Sequence, residues 1–221
     1  MTTTPGPVNT RNSFNAKHAL WIVFGLMTAF VILTRDRTLL DPHSFLRQRY
    51  AAIPLLMFLH GIPGAIALFI APFQFSSRLR QSHIRVHRFM GRLYIFCVAI
   101  AAPISIPVAV ILGPSVLVMA ATTQAVGWIV TTATAFYCVR TGRIQQHREW
   151  MMRSYPFAVV FVVVRAILAI PAIQRMGELG FVSVVWSVIA MACFLPSFVI
   201  AWQTLAVNRP AGKLRSAATA D

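Results

Sequence analysis

This sequence predicts an all-α fold: a polytopic membrane bundle of six transmembrane helices in a single domain, with both termini cytoplasmic. Three observations carry that expectation. Hydrophobic residues make up 57% of the 221 and charged residues only 11%, with mean hydropathy +0.69, more apolar surface than a water-soluble domain of this size can bury. The net charge of +15, from 20 Lys and Arg against five acidic residues, is confined to short segments between apolar runs. Those runs are close to the roughly 20 residues that cross a hydrocarbon core of about 30 Å. In a soluble chain such basicity would suggest nucleic acid, but no soluble basic domain exists here to carry it. The partners expected are the lipid bilayer and anionic lipid headgroups.

Residues 1–17 are polar, with Pro5, Gly6 and Pro7, and are expected to be a disordered cytoplasmic tail. The six-helix domain covers residues 18–207, and a second disordered tail covers 208–221. Helix one spans 18–34. The stretch TRDRTLLDP follows it where a small-residue cleavage site would stand, so the run is expected to remain as a helix rather than act as a removable signal. The connection RDRTLLDPHSFLRQRY carries Leu39, Leu40, Phe45 and Leu46 among its charges and is expected to lie along the membrane surface. Helix two spans 51–73 and helix three 93–112, after which Gly113-Pro114 makes a charge-free turn. Helix four spans 115–139, helix five 156–173 and helix six 181–207. Cys97, Cys138 and Cys193 are widely spaced in apolar segments, a pattern of packing residues rather than of a disulfide or metal framework.

Six helices put both termini on one side. That side would hold Arg11, Lys17, the five arginines of residues 78–92, the four of residues 140–153, Arg209, Lys213 and Arg215. The other would hold Arg35, Arg37, Arg47, Arg49 and Arg175. The positive-inside rule makes the richer side cytoplasmic.

Between helices two and three lies RLRQSHIRVHRFMGRLY (78–94), and between helices four and five RTGRIQQHREWMMRSY (140–155). Each is expected to be a loop. His87-Arg88 in the first and His147-Arg148 in the second stand 60 residues apart, and each pair is followed by an arginine and a tyrosine. The echo suggests two hairpins related as parallel repeats.

Polar residues at membrane depth are costly and mark function or internal pairing. His60, Gln124 and Arg165 each fall nine residues into their helix, roughly 13–14 Å deep at 1.5 Å per residue. They could line a pocket for a quinone, a carboxylate or another small anion, or His60 and Gln124 could be hydrogen-bonding glue between helices. Arg165 has no acidic residue inside any helix to pair with. Gly61, Pro63 and Gly64 thin the helix beside His60 for another helix or for a flat ligand such as a porphyrin. His83 and His87 stand i, i+4 with His147 on the next loop, but the arginines around them disfavour a bare cation, so no metal site is assigned. Two histidines on different helices can also ligate a haem iron axially. Depth separates His60 from His87, whereas His87 and His147 could share one iron, with Arg88, Arg92, Arg148 and Arg153 placed for the propionates.

The motifs HG-x-x-G, PFQF, HR-x-x-GRLY and HREWMMRSY, followed by an intramembrane arginine, resemble a bacterial family catalogued as a predicted membrane protein, domain of unknown function 2306. The likeness covers His60 to Arg165. It implies a multi-helix protein of the bacterial inner membrane with no established activity. The function expected is a membrane redox or cofactor-handling protein binding haem b or a quinone, through His60, Gln124 and Arg165 inside and His87 and His147 at the cytoplasmic edge. A small-solute transporter or carrier is the alternative, and so is a non-catalytic assembly or lipid-binding factor. An oligomer or a partner membrane subunit is also among the partners expected.

Overall fold

The computed structural model describes residues 16–34 and 41–207, so both tail expectations and Arg35 and Arg37 lie outside the described residues. Those residues fold into helices α1 (Ala16–Thr34), α2 (Phe45–Ala51), α3 (Pro54–Gln74), α4 (Ser77–Ser82), α5 (Ile84–Leu112), α6 (Ser115–Arg140), α7 (Ile144–Ile167), α8 (Pro171–Arg175) and α9 (Gly177–Val207), and no strand occurs among them. Five of these, α3, α5, α6, α7 and α9, are long and apolar enough to cross a membrane. The apolar stretch described in α1, Trp21–Thr34, is shorter than that.

Local chemistry sets the breaks. Ser44 and Ser76 cap α2 and α4 by accepting from the backbone N–H of Arg47 and Leu79, each at 3.2 Å. Pro54 opens α3 with a φ already suited to a first turn. Gly142, with φ 76°, turns the chain between α6 and α7, and Gly177, with φ 59°, does so between α8 and α9, conformations that cost a side chain but not glycine.

The structure departs from the sequence expectation in the two basic segments, which are helical rather than looped. α5 begins at Ile84 and α7 at Ile144, so each starts well before its apolar run. The reason is composition. Arg, His, Gln and Met are good or tolerable helix formers, and a helix does not need to end where hydrocarbon gives way to water. At 29 residues, α5 is about 43 Å long, more than a bilayer core requires.

The long helices pack in sequence, α3 on α5, α5 on α6, α6 on α7 and α7 on α9, while α1 and α3 also rest on α7. Small side chains allow the close approach: Ala67, Ala71, Ala101, Ala102, Ala120 and Ala125 are all buried. At Gly127 a Cβ would come within 2.6 Å of the buried Phe157 ring, so the glycine lets that ring lie against α6. Large apolar side chains such as Phe69, Phe96, Phe194 and Leu205 project outward, as expected of surfaces facing lipid.

Candidate functional site

One end of the bundle gathers the C-terminus of α3, the starts of α5 and α7 and the ends of α6 and α9. It holds nine arginines, those between Arg78 and Arg153. Here α5 and α7 run in the same direction and touch through side chains. Tyr94 Oη and Ser154 Oγ lie 2.8 Å apart, Trp128 Nε1 donates to Tyr94 Oη at 3.0 Å, and Thr132 Oγ1 lies 2.7 Å from Ser154 Oγ. All four side chains are buried, Tyr94 and Ser154 to 0% exposure. A hydroxyl both donates and accepts, so this chain satisfies its members while binding three helices together.

Tyr94 and Ser154 are 60 residues apart, the same offset as His87 and His147. Seven residues make two helical turns and return to the same face. On two parallel helices that meet at Tyr94 and Ser154, His87 and His147 therefore stand opposite each other two turns nearer the basic end. In keeping with this, His87 feels the charge of His147, Arg80 and Arg88. His147 Nδ1 lies 2.8 Å from the Ala135 carbonyl, which can only accept, so Nδ1 carries a proton and Nε2 is the nitrogen left for another partner.

Three buried side-chain atoms have no hydrogen-bond partner among the described residues: Gln74 Nε2, His87 Nδ1 and Tyr155 Oη. They share this end. A Cβ on Gly91, one turn from His87, would lie 3.6 Å from Gln74 Oε1. Tyr155 follows Ser154 directly, and its ring meets those of Phe75 at 5.8 Å, Trp21 at 6.0 Å and Phe24 at 6.2 Å between centroids. An unsatisfied buried polar group costs about 1–3 kcal/mol, so each of the three calls for an explanation.

The polar residues expected at mid-depth each have a separate partner. His60 Nδ1 donates to the Ala101 carbonyl at 2.9 Å, joining α3 to α5. Gln124 Nε2 donates to the Phe157 carbonyl at 3.1 Å, joining α6 to α7. Arg165 lies in the last turn of α7, at the rim opposite the basic end, because the helix that carries it starts at Ile144 and breaks after Ile167. There it donates to Tyr50 Oη at 3.3 Å and stacks over the Phe161 ring at 4.0 Å. Burial outweighs the neighbouring Arg49 and raises the Tyr50 phenol above its ordinary value, so it stays neutral beside the guanidinium.

Residues 57–205 match the family described as predicted membrane protein, DUF2306. The chain belongs to this family. No curated protein and no solved structure matches it. The family match reaches from α3 through α9 and so includes every residue of the basic-end site except those on α1. Within this DUF2306 chain, Arg88, Arg92 and Arg148 are exposed, and Arg153 lies 4.9 Å over the Trp150 ring and donates to Ser197 Oγ at 3.4 Å. His83 caps the break between α4 and α5 and is exposed. No group of three His, Cys, Asp or Glu suited to a metal ion occurs among the described residues.

The residues that sequence reasoning missed are Ser154, Thr132 and Trp128. A strict 60-residue offset would have paired Tyr94 with Ser154, whereas matching by residue type paired it with Tyr155. Gln74 stood within the PFQF motif with no role assigned.

Proposed function

We propose that this multi-pass membrane protein is a redox or cofactor-handling protein that binds haem b, with His87 on α5 and His147 on α7 as the residues that would hold its iron. The observation that supports it is the facing pair itself. Two imidazoles project from parallel helices at matched positions, and one has its tautomer fixed by a backbone carbonyl so that Nε2 is the free nitrogen, as in metal-ligating histidines generally. The donor set suits iron porphyrin. It offers an imidazole nitrogen from each of two helices, and Arg80 and Arg88 near His87 match the carboxylates that a haem carries. When bound, haem supplies one-electron transfer; the chain's own residues hold it, orient its ligands and keep their protons in place. The carrier reading drew on a midplane arginine, and the rim position of Arg165 removes that support.

The visible spectrum of the full chain, purified in mild detergent from cells supplied with a haem precursor, tests the reading. A Soret band that shifts on dithionite reduction is expected, and it should be lost in His87→Ala and His147→Ala and kept in His60→Ala. A featureless spectrum at full purity sinks it.

We further propose six spans, with the basic end facing the cytoplasm of a bacterial inner membrane and its arginines against anionic headgroups. The supporting imbalance, among the described residues, is nine arginines at that end against Arg47, Arg49, Arg165 and Arg175 at the other. A cysteine at position 143, Arg143→Cys, should react with a membrane-impermeant maleimide only after cells are opened. Labelling in intact cells would reverse the orientation.

A further inference from the structure

We infer that the corner formed by Gln74, His87 and Tyr155 is a binding site for the head of a lipid-soluble quinone, a flat ring bearing carbonyl oxygens. The inference does not rest on the haem reading: it stands on three buried atoms that have no partner among the described residues.

The chemistry of the corner defines what would fill it. Gln74 Nε2 can only donate and the Tyr155 hydroxyl is free to donate, while His87 Nδ1 also lacks a partner. A ligand that answers them must present acceptors. The surroundings decide between a ring and a simple anion. Tyr155 is walled by Phe75, Trp21 and Phe24, edge-on and tilted faces that suit a conjugated ring better than a hydrated phosphate. Arg80 and Arg88 near His87 add a positive potential that favours electron-rich carbonyl oxygens. At the same end Phe73 and Phe89 are 60% and 66% exposed on surfaces that face lipid, along which an isoprenoid tail can lie.

The orphan atoms give the site a signature that a structural role would not produce. Removing a buried hydroxyl that has a partner destabilises a protein, whereas removing one that has none does not. Residues retained for a ligand should therefore weaken binding when replaced, without lowering the stability of the ligand-free chain.

The test uses the full chain in phosphatidylcholine nanodiscs, with a radiolabelled dimethoxybenzoquinone bearing a ten-carbon tail as the probe. The control is an alkylbenzene of the same tail. Saturable binding of one probe per chain is expected, with Tyr155→Phe and Gln74→Leu each weakening it by about tenfold or more, the loss of one good hydrogen bond. The melting temperature of each ligand-free variant should not fall. His147→Ala should bind the probe as wild type does, which separates this site from the haem reading. The inference is overturned if the wild type shows no saturable binding, if the control binds as tightly, or if Tyr155→Phe and Gln74→Leu both bind as wild type. It is also overturned if phosphatidylglycerol in the disc abolishes binding, since the donors would then serve lipid phosphates.

Discussion

The two ends of this bundle treat their polar groups in opposite ways. At the far rim, Arg165 donates to Tyr50, Arg49 donates to the Leu112 carbonyl at the end of α5, and Gln174 donates to the Leu168 carbonyl at 2.9 Å. These contacts tie α2, α5, α7 and α8 down at that end. At the basic end, a bonded cluster around Tyr94 lies beside three buried atoms with no partner among the described residues. The far rim is built as a closure, and the basic end as a rigid frame beside a vacancy in the hydrogen-bonding pattern. A hydroxyl that holds helices together and one that has no partner among the described residues thus stand one residue apart, at Ser154 and Tyr155.

That contrast is broken most forcefully at Tyr94. Tyr94→Phe leaves Trp128 Nε1 buried without an acceptor and takes from Ser154 one of its two partners. With a cost of about 1–3 kcal/mol for a buried group left unsatisfied, plus the lost bond to Ser154, the expected destabilisation is about 2–4 kcal/mol. Thermal unfolding in detergent should show it as a clear fall in melting temperature. A melting temperature unchanged by Tyr94→Phe would mean that the cluster is not the frame described here.

How much of this was legible in the sequence differs between fold and site. The long apolar runs mark their helices because crossing hydrocarbon demands an uninterrupted hydrophobic stretch, and the turn at Gly113-Pro114 carries its own chemistry. The helical starts of α5 and α7 were not legible. Hydropathy registers where the chain leaves lipid, not where the backbone stops bonding to itself, and residues 84–92 and 144–155 are polar helix. That same error placed Arg165 at mid-depth, since counting from Pro156 hides the three turns that precede it. His87, His147 and their arginines were visible as a repeated motif. The vacancy was not, because the lack of a partner at Gln74, His87 and Tyr155 is a property of three helices together and leaves no mark on any one of them.

The closure at the far rim predicts a smaller effect. Tyr50 bonds from α2 across to α7, and its phenol both meets Arg165 and is held neutral by burial. Tyr50→Phe keeps the ring and its packing while removing the oxygen that accepts from the guanidinium. Arg165 retains the face of Phe161 and the negative end of the α7 dipole, so its charge is not stranded. The expected cost is therefore about 1 kcal/mol or less, that of one hydrogen bond, too small to move the global melting temperature much. The local effect should be larger: α2 is held to α7 by that bond, and its release should speed hydrogen exchange in residues 45–51 while leaving the Tyr94 cluster protected. If exchange in α2 is unchanged, apolar contact rather than the Tyr50–Arg165 bond holds it, and the far rim is a packed edge instead of a clasp.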